Sequence, residues 1–407
     1  MQNSWPHSKF KTLFILTPLV SMFAFGLDLY IPITTRLVED FNTTPSVLQN
    51  TLSIYMLCCA ISQIITGPIS DYYGRRQTAL VCLLLFIIGS IGGYYSTNVN
   101  EMVICRVTQA FGASGTFLCA YATVRDLYPK PEDSARMYSY INICISQSPI
   151  LAPTLGGIIA KYYNWPYVFI FMLGISIITL IITATMYYDT CPNHQKPDYA
   201  FLKKSYLSVL SHACFKPYTL ASSTGMASFF MFFSQSPYII MDTLGYDETL
   251  YGMFFGLVGI TFCIASFMTP KVCRKHSTHG AIEIGCCIMT IGGLLIILAE
   301  KAFGTSIAGF IIPMMIISSG AAICIGAGLA GIMQPFGHIA GTAFSAVGFF
   351  KFFISAVLGR LLMQMDPDPL FLGILVLSFS AISLYTCLSY SPSSDPSRYA
   401  HATSEYE

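Results

Sequence analysis

Charge is what this chain has least of. Asp, Glu, Lys and Arg make up 10% of its 407 residues, against about 25% in soluble domains. Such a chain, 54% hydrophobic and of mean hydropathy +0.62, is expected to live in a bilayer. Short alternating apolar segments are missing, which sets aside a β-barrel in favour of long apolar helices. There is no G-x-x-x-x-G-K-[ST] phosphate loop, so energy is expected from an ion gradient and not from a nucleotide. No nucleophile–base arrangement stands out, and the loops are short, which speaks against a membrane enzyme or scaffold. The 14 cysteines contain no Cys-x-x-Cys pair. Most sit singly in apolar runs as small hydrophobes, so neither a metal nor a disulfide framework is expected. No cofactor and no nucleic-acid partner are expected either.

What is present is a series of apolar runs of about 20 residues, each long enough to cross a bilayer. Twelve can be read, near 12–33, 47–69, 77–96, 100–124, 134–160, 164–187, 216–241, 250–270, 280–299, 305–332, 338–361 and 369–390. The first is too long for a signal-peptide core and lacks a small-residue cleavage site, so it is expected to remain as a span. The longest internal polar break, from Tyr188 to Phe215, divides the spans six and six. The expected organisation is a six-helix bundle over 1–187, a cytoplasmic linker over 188–215, a second six-helix bundle over 216–390 and a cytoplasmic tail over 391–407. The fold class is an all-α membrane protein with the transport path between its two bundles.

Sidedness follows from the cations. Fifteen of the 21 Lys and Arg fall on the side of the N-terminus, four (Arg36, Lys161, Lys301, Arg360) on the other, and Arg106 and Lys351 lie inside spans. The positive-inside rule then places both termini in the cytoplasm.

The few charges inside spans carry the chemistry. Leu13 to Ile33 reads LFILTPLVSMFAFGLDLYIPI, with Asp28 as its one charge. A carboxylate deep in lipid costs roughly 2.5–3.5 kcal/mol on insertion scales. It must face a wet interior, find a cation or take up a proton; the plainer alternative is a helix-end residue near water, since Pro32 follows. Arg106 lies about six residues into the fourth span, roughly 9 Å, and Asp28 about five residues from the same face, roughly 8 Å. Equal depth allows the two to pair, with the arginine lowering and burial raising the aspartate's proton affinity. Lipid snorkelling is the plainer reading of Arg106. Lys351, inside Phe349-Phe350-Lys351-Phe352-Phe353, falls near mid-membrane, where it either binds an anionic substrate group or forms a structural ion pair. Phe232, Gln235 and Tyr238 in the seventh span, with Tyr30, Tyr55, Tyr121 and Tyr140, are candidate walls of an adaptable pocket, although aromatics at helical spacing are more often packing.

One loop and three helix motifs carry a family resemblance. Gly67-Pro-Ile-Ser-Asp71-Tyr-Tyr-Gly74-Arg75-Arg76 resembles the G-x-x-x-D-x-x-G-R-R signature of the major facilitator superfamily, in its place after the second span. Leu27-Asp28-Leu29-Tyr30-Ile31-Pro32 resembles the first-helix motif of Bcr/CflA-type drug:proton antiporters. Arg106-Val-Thr-Gln109-Ala-Phe-Gly112 resembles the superfamily's fourth-helix R-x-x-Q-x-x-G. Ser148-Pro149-Ile-Leu-Ala152-Pro153-Thr-Leu-Gly156-Gly157 resembles the fifth-helix antiporter motif, with Ser148 and Ala152 replacing two of its glycines. The resemblance implies a monomeric, proton-coupled secondary transporter of the bacterial inner membrane that exports drug-like or metabolite molecules by alternating access. It implies that Asp28 and Arg106 line the central cavity, and that the loop motif, Gln109, Pro153, Gly156 and Gly157 serve gating. The alternative on the same scaffold is a proton-coupled importer of a nutrient or siderophore.

Overall fold

The computed structural model describes residues 5–128, 137–138, 140–141, 144–145, 147–191, 199–333, 335–336, 340–362 and 368–390. The expected onset of the fifth span at 134 and the tail 391–407 lie outside the described residues. The described elements are helices: α1 (Lys9–Asp28), α2 (Thr34–Asp40), α3 (Pro45–Tyr73), α4 (Arg75–Tyr95), α5 (Val99–Leu127), α6 (Ser148–Tyr163), α7 (Pro166–Met186), α8 (Tyr199–Ser211), α9 (Phe215–Pro237), α10 (Glu248–Phe303), α11 (Ile307–Met333), α12 (Ala340–Leu362) and α13 (Pro369–Leu388). α10 is two spans in one continuous trace, broken at Ser277, whose φ of 65° leaves the helical region. Counting it twice and setting aside the short α2 and α8, the helices make the twelve expected spans. The polar break between the bundles holds the helix α8.

The outward faces are apolar, as a lipid solvent requires. Along α4, Val81, Leu84, Ile88 and Ile91 are exposed at three- and four-residue spacing, while Cys82, Leu83 and Phe86 turn inward. The chain is a multi-pass membrane protein.

Within the first bundle, glycines set how closely helices approach. A Cβ on Gly112 of α5 would lie 2.5 Å from the Cys82 carbonyl oxygen and 2.6 Å from the Phe86 nitrogen of α4. One on Gly89 of α4 would lie 2.8 Å from the Cys105 carbonyl oxygen. These are backbone atoms with no room to yield, the small-residue packing that membrane helices use in place of a hydrophobic drive. Gly112→Val is therefore expected to push α4 and α5 apart at a cost of about 1–3 kcal/mol. It should lower the melting temperature in detergent, and a variant melting with the parent would refute this contact.

Prolines set two further breaks. Pro32 has no N–H for the Asp28 carbonyl four residues back, so α1 ends at Asp28 and the chain passes through a 3₁₀ turn, Ile31–Ile33, into α2. After Pro237, α9 widens into a π-helical turn, Tyr238–Thr243. Pro149 falls in the first turn of α6, a position that starts a helix, whereas Pro153 lies inside it. Of the two prolines of this motif, only Pro153 therefore lies inside the described helix.

The two bundles meet along two seams. In one, α3 faces α12: Ser345 Oγ donates to the Gln63 carbonyl at 2.7 Å, and Arg360 Nη1 to Asn50 Oδ1 at 3.1 Å. In the other, α6 faces α10: Thr154 Oγ1 donates to the Gly252 carbonyl at 3.4 Å, and Lys161 Nζ reaches Asp247 Oδ2 at 3.3 Å. The Leu250 N–H, helped by Lys161, holds the Asp247 carboxyl below the usual carboxylate range. Both partners of that pair are well exposed, so it contributes little to stability.

Candidate functional site: a buried acid, a stacked arginine and a lone lysine

Asp28 closes α1 and is 3% exposed. Its plainer reading, a solvated helix end, therefore fails: the helix ends there, but inside the protein. Ser148 Oγ, at the start of α6, donates to Asp28 Oδ2 at 2.7 Å. Tyr55 from α3 and Tyr251 from α10 lie within electrostatic reach of the carboxylate, so elements of both bundles surround it.

Arg106 is fully buried on α5, which excludes snorkelling into lipid. The direct pairing with Asp28 that equal depth allowed is not made: no ion pair joins the two. Arg106 Nη1 donates to the Gly26 carbonyl at 2.6 Å and to Gln109 Oε1 at 2.8 Å. The reason lies in how α1 ends. The Tyr30 N–H turns to the Leu27 carbonyl, leaving the Gly26 carbonyl orphaned at the negative end of a helix, where a cation is favoured. The guanidinium is also sandwiched between the rings of Tyr30 and Tyr55, at 4.3 and 4.2 Å from their centroids. Thr51 donates to the Leu48 carbonyl, so the Tyr30 hydroxyl donates to Thr51 Oγ1 at 2.9 Å and the ring is fixed. Gln109 is held in turn by Ser90 Oγ, at 2.9 Å from its Nε2. Gly26 makes room, because a Cβ there would lie 2.5 Å from the Tyr55 hydroxyl. The depth match stands, since Arg106 binds a carbonyl two residues from Asp28. What the two charges share is the Tyr55 ring.

Gly156 sets the second wall. A Cβ on it would lie 2.6 Å from the Leu29 carbonyl oxygen, so only glycine lets α6 lie on the turn next to Asp28. Pro153 and Gly157 are buried on the same helix.

Lys351 is half-buried on α12 with its Nζ 4.9 Å from the Phe352 ring centroid. No acid pairs with it among the described residues. The other expected wall residues scatter. Phe232 is enclosed by Phe233, Phe255 and Phe310. Gln235 Nε2 reaches the Leu362 carbonyl at 3.4 Å while its Oε1 has no partner. Tyr238 is buried beside Tyr30 and Thr34. Tyr121 stacks on Phe117, Tyr138 and Phe344. Tyr140 is 43% exposed.

At the other end of the bundle, the loop motif forms a polar knot. Arg75 Nε donates to Asp126 Oδ2 at 3.0 Å, Nη1 to Ser70 Oγ at 2.6 Å, and Nη2 pairs with Asp71. Asp189, past the end of α7, accepts the Arg75 backbone N–H at 2.9 Å. Gly74 has φ 95°, and any Cβ there would fall on the Asp189 carboxylate. Arg76 donates to the Ala184 carbonyl at 2.6 Å, and Gly67 faces Ser345 of α12. Sequence reasoning missed Asp126 and Asp189, and it offered Tyr55 only as a pocket wall, not as the ring stacked on Arg106. An acid beside Arg125 at the close of a span was the one available signal for Asp126; nothing local marks Asp189.

The profile of the Major Facilitator Superfamily matches residues 16–360. The chain belongs to this superfamily. It is a transporter and not an enzyme, and the Bcr/CflA resemblance read from the motifs is matched by the relatives. A chloramphenicol resistance protein of Pseudomonas aeruginosa is 29% identical over 83% of this chain and 80% of its own. A bicyclomycin resistance protein homologue of Haemophilus influenzae is 26% identical over 88% and 90%. Multidrug resistance protein D of Escherichia coli is 25% identical over 86% and 87%. Among solved structures, the xylose transporter XylE of E. coli superposes with a TM-score of 0.74 at 14% identity, covering 94% of this chain and 98% of that one. The human organic anion transporter MFSD10 gives 0.71 at 15% identity, covering 94% and 99%. At these identities the structural likeness establishes the fold alone.

Proposed function

We propose that this transporter exports small drug-like organic molecules in exchange for protons, as a monomer in a bacterial inner membrane with its basic loops and both termini in the cytoplasm. One observation carries the reading. Asp28 is a buried carboxylate, with no cation paired to it among the described residues, held by a serine hydroxyl where α1, α3, α6 and α10 converge. A carboxylate so placed has a protonation state that solvent access and a neighbouring ligand can decide. Arg106, stacked and bound to the end of α1, holds a fixed positive field on the Tyr55 ring that Asp28 also meets. Protonation from one side and release to the other would accompany rocking of the bundles about the α3–α12 and α6–α10 seams, with the 188–215 linker as tether. The named resistance relatives favour export over the importer reading, and the XylE likeness, being of fold alone, does not restore it.

The test is flux into inside-out vesicles. With an inwardly acid gradient, at least one compound from a panel of cationic, neutral and anionic drug-like molecules should accumulate above passive levels. Collapse of the gradient by an uncoupler should return it to the level of protein-free vesicles. Accumulation that ignores the uncoupler would end the proton-coupled reading.

A further inference from the structure

Among the described residues, three charged side chains occupy the middle of the protein, away from the loop motif: Asp28, Arg106 and Lys351. Two are cations, and neither is neutralised by an acid among the described residues. Arg106 leaves Nε and Nη2 buried with no acceptor. A low-dielectric interior makes an uncompensated charge expensive, so an excess cation retained there points to an anion that arrives from outside the chain.

The two cations share a wall. Lys351 lies over Phe352, Phe352 packs on Phe23 at 5.0 Å between centroids, Phe23 lies 6.4 Å from Tyr55, and Tyr55 stacks on Arg106. This aromatic partition runs from α12 of one bundle through α1 to α5 of the other. Lys351 does not escape to lipid. Its helix neighbours Val347, Gly348, Phe352, Ser355 and Leu358 are buried, while the opposite face carries the exposed Phe353 and Val357. Its side of α12 is therefore the one turned toward the protein interior. Arg106 is pinned by Gly26 and Gln109, whereas Lys351 is a flexible arm with three unused donors.

We propose that the transported solute carries one anionic group, a carboxylate or its equivalent, on an aromatic or apolar body. Lys351 takes the anionic group, the Phe352–Phe23–Tyr55 partition receives the apolar body, and Arg106 adds to the field without leaving its helix end. The inference rests on the proposed transport path running between the two bundles, and it names the substrate class of that path.

The test uses one ring with three charges. Equilibrium binding of naphthoate, naphthamide and naphthylmethylammonium is measured on the full-length protein in detergent, for the parent, Lys351→Gln and Lys351→Arg. Naphthoate should bind about tenfold tighter than the other two. Lys351→Gln should lose about tenfold for naphthoate alone, the low end of what a charged hydrogen bond is worth, and Lys351→Arg should retain most of it. Absent or equal binding of the three compounds by the parent, or an equal loss for all three in Lys351→Gln at an unchanged melting temperature, overturns the proposal. Flux separates the two readings. If the amide or the ammonium compound moves with the pH gradient, the exporter stands and the anion preference falls. If naphthoate binding depends on Lys351 but no compound responds to the gradient, the anion site stands and proton coupling falls.

Discussion

Asp28→Asn is expected to abolish transport driven by a pH gradient while leaving the protein folded. The amide matches the carboxylate in shape, and its oxygen accepts the Ser148 hydroxyl as Asp28 Oδ2 does at 2.7 Å. Arg106 is untouched, because its contacts are to Gly26, Gln109 and two tyrosine rings. No ion pair is broken, so the usual penalty for orphaning a buried charge does not arise. The substitution removes a carboxylate from the membrane interior, and the melting temperature in detergent should hold or rise. What it takes away is the proton-carrying group. Gradient-driven accumulation should drop to the level of uncoupler-treated vesicles, while drug binding measured on the purified protein persists. If gradient-driven accumulation survives in a folded Asp28→Asn protein, Asp28 is not the coupling group. Had the acid been paired with Arg106, the same substitution would have exposed a buried guanidinium and lowered stability, so the melting curve also reports on which partner each charge has.

That distinction marks where the sequence is readable. Twelve apolar runs and one long polar break announce the spans, because lipid punishes an unsatisfied backbone and leaves long helices as the solution. The end of α1 at Asp28 is legible too, since Pro32 withholds the N–H that Asp28 would need. Depth is likewise readable from residue counts, and Arg106 does lie level with Asp28. What counting along the chain omits is direction around the helix and the competition for each donor. Arg106 binds the Gly26 carbonyl because α1 frays into a 3₁₀ turn, and that turn is visible only once the helix end is built. Ser148 reads as a lost glycine in a motif, yet its hydroxyl holds Asp28, a contact glycine could not make. Tyr55 reads in the sequence as one candidate wall aromatic among several; that it stacks on Arg106, with Gly26 a helix away making its place, does not. The pocket walls were the least legible part. Phe232 and Tyr121 belong to aromatic stacks that periodicity cannot tell from a binding surface.

Arg75→Gln is expected to cost about 3 kcal/mol, the low end of the range for removing one partner of a buried ion pair. The low end applies because Asp126 keeps Arg125, whose Nη2 lies 3.0 Å from its Oδ1. The side chains of Arg75 and Asp126 are 3% and 5% exposed, so water cannot replace the lost guanidinium. Asp71, more than half exposed, can be solvated and contributes less. The double variant Arg75→Gln with Asp126→Asn should recover part of the stability, since it leaves no uncompensated carboxylate buried at the knot. Transport should not recover with it. Arg75 ties the end of α3, through Ser70 and Asp71, to the end of α5, and its own backbone N–H is capped by Asp189. An amide is too short to span Ser70, Asp71 and Asp126 together, so the α3–α4 corner loses its registration with the segment that leads into the linker. Thermal unfolding and vesicle flux on the single and double variants separate the two roles. Full flux in the stabilised double variant would reduce the knot to a folding device, whereas a stable but slow double variant places it in the transport cycle.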